Sequence, residues 1–383
     1  GFAQKDPQVL SDIFQGRSYG YAYSRIANPT VVTLENHINA LNDTRGVVAT
    51  SSGMAALSII VDALIRPGDH IISSKSIFGG TYYLFKELQN YQDINITFCE
   101  TTNIAAYEQA ITKKTKGIFI ESIGNPKCDV PDLKALCQMA HRYRIPVIVD
   151  ATVATPYLSN CKEIGIDITW HSATKWISGT GTTLAGLIID NDIARWNETD
   201  QPILTESIAK FGSNCFVARC KKLRSNKGAT LSAMSAFMIN QGLESLGVRM
   251  DRHCENAMKV ALFLKKHKEI KSINYPGIQT HPDHDVATDL YHGKYGALLS
   301  CRLGSKQRAY DFMRKITLAD NLANLGDAKT LMIHPESTIY RDLNEKEKQE
   351  AGVFEDQVRF SIGIEDPDDL INDFDQALKG LKE

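Results

Sequence analysis

Between residues 45 and 190 the chain alternates short apolar runs with stretches of helical period. The runs are Gly46–Thr50, His70–Ser73, Asn95–Cys99, Gly117–Glu121, Pro146–Asp150, Asp167–His171 and Leu184–Asp190. They are short, rich in β-branched residues and bounded by turn residues, which predicts strands. Ala55–Ile65 reads as a helix stopped by Arg66-Pro67-Gly68, and Pro131–Tyr143 as another, with Asp129 as its candidate cap. Strands alternating with helices of this length predict a mainly parallel sheet covered on both faces, whose ligands bind beyond the carboxyl ends of the strands.

Residues 1–44 are polar and aromatic with weak periodicity. Leu231 to His267 reads as one long helix, with Gly242 and Gly247 as weak points. Beyond it, strands are expected at Ser272–Tyr275, Ala297–Arg302, Thr330–Ile333 and Val358–Ile362, and helices at Lys306–Lys315 and Pro367–Leu381. This is the pattern of a smaller α+β domain, with the boundary near residues 235 to 250.

Composition narrows the function. The 383 residues are 43% hydrophobic and 23% charged, the proportions of a globular chain able to bury a large core. Lys+Arg is 43 against Asp+Glu 45, a net charge of -2 with no nucleic-acid footprint. No apolar run is long enough to span a membrane, and the start carries no signal-peptide pattern. The chain opens on Gly1 rather than Met, which leaves room for a tag remnant or a preceding segment. Its eight cysteines form no CxxC pair and scatter through periodic segments, which reads as reduced thiols in a cytosol. His281 and His284 have HxxH spacing, but Pro282 between them favours a polar loop over a metal site.

Candidate chemistry lies at the strand ends. His171-Ser172-Ala173-Thr174-Lys175-Trp176 follows an apolar strand. A lysine there can be desolvated into a nucleophile or base, and the two hydroxyls suit an anion. Asp150 ends another apolar strand, as a cap or as an acid facing the crevice. Ser51-Ser52-Gly53-Met54 joins strand to helix, where free N–H groups bind phosphate. Arg359 lies among apolar neighbours and suits a substrate carboxylate or a structural ion pair. There is no GxxxxGK[ST], and Gly179-Thr180-Gly181 has Leu184 at the third glycine position of GxGxxG. A phosphate site, an amine for an aldehyde and an acid for a ring nitrogen together suit pyridoxal phosphate.

With these residues in view, the chain resembles the Cys/Met-metabolism (trans-sulfuration) family of pyridoxal-phosphate enzymes. Tyr23-Ser24-Arg25 with Asn28-Pro29-Thr30 resembles YSRxxNPT, and Ser51–Met54 matches SSGM. Gly79-Gly80-Thr81, Asn125-Pro126, Asp150, Ser172–Lys175 and Arg359 with Ser361, Gly363 and Glu365 follow in family order. The resemblance implies an α/β, aspartate-aminotransferase-like (type I) fold. Its parts would be an N-terminal arm over 1–44 contacting the neighbouring subunit, a large domain over 45–240 with a mainly parallel seven-stranded sheet, and a small domain over 241–383.

It further implies that Lys175 carries the cofactor and moves protons, and that Asp150 pairs with the pyridinium nitrogen. The Gly53 and Met54 amides, Ser172 and Thr174 would bind the phosphate, and Asn125 would lie near the phenolic oxygen. Tyr23 and Arg25 would reach the phosphate of the neighbouring subunit, in a tetramer built as a dimer of active dimers, and Tyr23 is with Lys175 a catalytic candidate for the proton that a tyrosine at position 78 would carry. Phe78 would stack on the cofactor ring, and Arg359 and Asn324 would bind substrate. Within the family, Glu121–Pro126, Ala323–Asp327 and His334–Thr338 look most like O-acetylhomoserine sulfhydrylases. The activity implied is replacement of a γ-acetoxy group by sulfide or a thiol in the cytoplasm, with γ-elimination as the alternative. Cystathionine-handling relatives tend to place an acid where Ala323 stands. Three positions depart from the family pattern: Phe78 for Tyr, Ala151 for Asn and Thr180 for His. A hydrolase reading of SxxK over Ser172–Lys175 lacks its SDN and KTG partners, and those departures keep a non-catalytic scaffold as a further alternative.

Overall fold

Seven strands of a computed structural model, which describes residues 1–381, form the first of two sheets. They are β1 (Gly46–Thr50), β2 (His70–Ser74), β3 (Asn95–Cys99), β4 (Thr115–Glu121), β5 (Val147–Asp150), β6 (Ile168–Ser172) and β7 (Gly186–Asp190). The order is β1-β7-β6-β5-β4-β2-β3. Only β7 runs against its neighbours, so the sheet is mainly parallel, as the alternating pattern implies. Each strand read from the pattern is present with its ends moved by no more than two residues. β4 is buried along its whole length, as expected of a strand covered on both faces.

The second sheet comprises β8 (Ser272–Asn274), β9 (Leu298–Arg302), β10 (Asp320–Asn321), β11 (Leu331–Ile333) and β12 (Gln357–Ser361), in the order β10-β11-β12-β9-β8. It pairs antiparallel except between β10 and β11. Helices Lys306–Lys315 and Pro367–Lys379 pack beside it. Phe312, Phe360 and Phe374 meet at ring-centroid distances of 4.8 to 6.1 Å.

Four local readings are corrected. The weakly periodic segment 1–44 holds two helices, Pro7–Phe14 and Pro29–Asn42. The second is capped by Asn28, which accepts from the Thr30 N–H at 3.0 Å with Pro29 in the first turn. The cap of helix Leu133–Arg142 is Asp132, bonded to the Ala135 N–H at 2.9 Å. Asp129 instead turns inward and lies 3.3 Å from the Lys127 ammonium. The long helix after Leu231 is two, Ala233–Leu243 and Leu246–Lys266. The Arg249 guanidinium accounts for the break: it donates to the Gly242 carbonyl at the first helix's end and to the carbonyls of Trp176 and Ile177. Gly242 is required because a Cβ there would lie 2.4 Å from the Ser178 carbonyl oxygen. His281 lies in a loop, whereas His284 opens helix His284–Tyr291 with a ring nitrogen 2.9 Å from the Pro276 carbonyl.

All eight cysteines are buried and unpaired. Among the described residues, no helix is long and apolar enough to cross a membrane.

Candidate active site

A cavity of about 280 Å³ opens at the carboxyl ends of β4, β5 and β6, the position a mainly parallel sheet dictates. β4 and β5 bring Glu121 and Asp150 there as direct register neighbours. β6 ends at Ser172, and the turn after it presents Thr174 and Lys175. The second sheet closes the other side with Arg359 from β12, Asn324 from the loop before β11, and Ile339.

Lys175 and Asp150 have complementary electrostatics. Burial, assisted by the Arg359 charge, lowers the Lys175 ammonium to about 8, and Asp150 opposes the shift. Its Nζ donates to Asn324 Oδ1 at 2.5 Å. Burial pushes the Asp150 carboxyl above the ordinary range, against the Thr152 hydrogen bonds and Lys175. Asp150 Oδ1 accepts from the Thr152 N–H at 2.9 Å. A buried acid with so few donors suits a partner that brings its own proton, such as a pyridinium nitrogen.

The side of the cavity at the start of helix Gly53–Leu64 is built from close approach. Helix Gly53–Leu64 starts at the cavity with Ser52 as its cap, bonded to the Ala55 N–H at 3.1 Å. The earlier amides of Gly53 and Met54 lie outside the intrahelical ladder and line the cavity. A Cβ at Gly53 would lie 2.8 Å from Ser172 Cβ, so glycine alone lets Ser172 reach this helix start. Thr174 already exchanges hydrogen bonds with the Ala185 backbone, accepting at 3.0 Å and donating at 3.3 Å. It lines the cavity with less free donor capacity than Ser172.

Arg359 is buried, and burial lowers it to about 10. It donates to Asn125 Oδ1 at 3.2 Å and to the Asn324 carbonyl at 2.8 Å. Its Nε is buried with no protein partner, a donor suited to a carboxylate. The Phe78 ring lies over Gly80, where a Cβ would be 2.6 Å from its Cε1.

The cavity thus gathers ten sequence-read residues: Lys175, Asp150, Gly53, Met54, Ser172, Thr174, Phe78, Asn125, Asn324 and Arg359. Tyr23 and Arg25 do not line it. They are exposed, with Arg25 donating to the Ser225 carbonyl at 2.7 Å and lying 5.4 Å from the Tyr23 ring centre. The apolar site of Ala151 is fully buried, and Thr180 is exposed, paired with Thr182 at 2.9 Å. Two residues with clear contacts at this site, Glu121 and Tyr340, were not singled out from sequence. The lone carboxylate closing the apolar run Gly117–Ile120 of β4 was the available signal for the first. The orphan Arg359 Nε, the cradle at Gly53 and the Lys175–Asp150 pair fit pyridoxal phosphate with an amino-acid substrate.

Comparison with known proteins agrees with this chemistry. The family model for Cys/Met metabolism PLP-dependent enzymes matches residues 1–379. A homocysteine synthase of Schizosaccharomyces pombe is 37% identical over 376 residues, covering 94% of this chain and 87% of the relative. An L-methionine gamma-lyase of Fusobacterium nucleatum is 36% identical over 364 residues, covering 94% and 87%. A solved structure from Campylobacter jejuni, provisionally named an O-acetylhomoserine (thiol)-lyase and carrying an N'-pyridoxyl-lysine-5'-monophosphate residue, superposes with a TM-score of 0.91. It is 31% identical, with 99% of this chain and 93% of that one covered. Fold, cavity and kinship therefore agree: the chain belongs to the Cys/Met metabolism family of pyridoxal-phosphate-dependent enzymes, which act on sulfur amino acids.

Proposed function

We infer that the enzyme catalyses γ-replacement on an activated homoserine ester: O-acetylhomoserine plus sulfide or a small thiol gives homocysteine or methionine and acetate. The cavity's charge inventory carries this reading. Among the described residues lining it, the cations are Lys175 and Arg359 and the carboxylates are Asp150 and Glu121. Both Glu121 oxygens already accept from backbone N–H groups, so this carboxylate is turned to the main chain rather than held free for a distal ammonium. Ile123, Val153, Leu184, Ala323, Leu325 and Ile339 make the remaining wall apolar, suited to a neutral ester side chain.

Bound pyridoxal phosphate supplies an aldehyde for the substrate amine and a ring that takes up electrons from Cα. Lys175 would hold the cofactor and, as a free amine, take and return the α-proton; an ammonium lowered to about 8 suits that cycling. Asp150 keeps a proton on the ring nitrogen. Gly53, Met54, Ser172 and Thr174 would hold the phosphate, Asn125 would lie near the phenolic oxygen, and Phe78 would supply an aromatic face for the ring. Arg359 and Asn324 orient the substrate carboxylate. In this reading residues 1–44 form an arm that places Tyr23 and Arg25 at a second copy's phosphate. Residues 45–240 form the large domain and 241–383 the small one. The active unit is a dimer, paired into a tetramer, and the eight buried thiols suit a reducing cytoplasm.

The similarity to a methionine γ-lyase supports γ-elimination as the second reading. A panel of O-acetylhomoserine, methionine and cystathionine, each assayed with and without sulfide for homocysteine and 2-oxobutyrate, separates the two. Sulfide-dependent homocysteine from O-acetylhomoserine supports replacement. 2-Oxobutyrate from methionine as the main activity moves the enzyme to the lyases.

A further inference from the structure

Two buried side chains from different parts of the fold converge on the same pair of backbone segments. Glu121, at the end of β4, accepts from the Phe78 N–H on Oε1 at 2.5 Å and from the Asn125 N–H on Oε2 at 3.1 Å. Tyr340, in the segment that follows β11, places its hydroxyl 2.5 Å from the Asn125 carbonyl and 3.3 Å from the Ile77 carbonyl. The Ile77 carbonyl and the Phe78 N–H belong to one peptide unit. That unit is therefore held on its donor by Glu121 and approached on its acceptor by Tyr340, and Asn125 is held at both its backbone groups in the same way. Each held residue carries a side chain of the cavity. Phe78 supplies the ring over Gly80, and Asn125 bonds Arg359 at 3.2 Å.

The contacts are built in rather than incidental. Tyr340 is 1% exposed and packs with Leu343, Ala351 and Val353 against Tyr82 and Tyr83. Gly79 permits this approach, since a Cβ there would lie 2.7 Å from the Ile339 carbonyl oxygen.

We propose that Glu121 and Tyr340 form one clasp of positioning residues, which sets the Phe78 ring and the Asn125–Arg359 contact together and so tunes how the site receives an amino-acid carboxylate. The clasp acts whatever leaving group the substrate carries. Its test therefore uses glycine, which has no γ-carbon, so failure of the γ-replacement reading leaves this result unaffected.

The pyridoxal-phosphate-loaded wild type, Tyr340→Phe, Glu121→Gln and the double variant are titrated with glycine, following the absorbance and visible circular dichroism of the bound cofactor. The unfolding midpoint of each cofactor-free protein is measured alongside. Tyr340→Phe removes one oxygen and should raise the glycine Kd roughly three- to tenfold, the loss of one buried hydrogen bond, with little change in midpoint. Glu121→Gln should alter the dichroism and raise Kd further. The double variant should fall short of the product of the single effects, as members of one unit do. An unchanged Kd in Tyr340→Phe, or effects that simply multiply, would overturn the clasp. If Glu121→Gln does not fold, the Tyr340→Phe titration decides alone.

Discussion

The Nζ of Lys175 and the Oδ1 of Asn324 are joined by a 2.5 Å hydrogen bond that ties the turn after β6 to the loop before β11. It gives a buried ammonium one neutral acceptor. The nearby Arg359 charge opposes it, so Lys175 is held where it loses its proton readily.

That environment has a measurable stability consequence in the cofactor-free protein. The folded chain releases the Lys175 proton near pH 8 and the unfolded chain near 10.5. Between those values the unfolded state binds more protons, so stability rises with pH across the window. Below it, the burial cost is fully present. Lys175→Met should therefore stabilise the apoprotein at pH 7 by about 1–3 kcal/mol, with the gain fading above the window. Urea unfolding at pH 7 and 10.5 reads this directly. A wild type as stable as the variant at pH 7 counts against it.

Gly53→Ala should damage both cofactor binding and folding. The added Cβ would stand 2.8 Å from Ser172 Cβ and force the helix start away from the hydroxyl. Overpacking of this kind costs about 1–3 kcal/mol, and the pyridoxal phosphate Kd should rise roughly tenfold or more. Equilibrium dialysis checks the affinity and calorimetry the midpoint. Unaltered affinity would show that the phosphate does not use this cradle.

At position 78 the ring is expected to matter and a hydroxyl not. Phe78 is 37% exposed and caps helix Gly79–Tyr91 without a side-chain bond. Phe78→Tyr should leave stability within about 0.5 kcal/mol and kcat within about threefold. Phe78→Ala should weaken cofactor binding through lost stacking, worth about 0.5–1.5 kcal/mol. A large rate gain in Phe78→Tyr would mean that the reaction uses an acid this chain lacks.

The strands of the larger sheet were legible because each is a short apolar run with turn residues at both ends. Lys175 and Asp150 were legible because a charge closing such a run needs a reason. Irregular connections carry no period, which is why Tyr340 escaped notice. The cap at Asp132 was missed because two aspartates flank Pro131, and only burial beside Lys127 shows Asp129 turning inward. The break between Leu243 and Leu246 depends on Arg249 reaching Gly242 and Trp176, partners that local sequence does not display. The order of β1 and β7 is likewise a long-range fact, since an antiparallel insertion leaves no mark on either strand's own pattern.

The most direct test of γ-replacement is product partition from O-acetylhomoserine as sulfide is raised, on the pyridoxal-phosphate-loaded enzyme. Homocysteine should rise with sulfide until it accounts for nearly all acetate released, while 2-oxobutyrate falls away. Acetate release accompanied by 2-oxobutyrate at every sulfide concentration, with no homocysteine, would contradict the account.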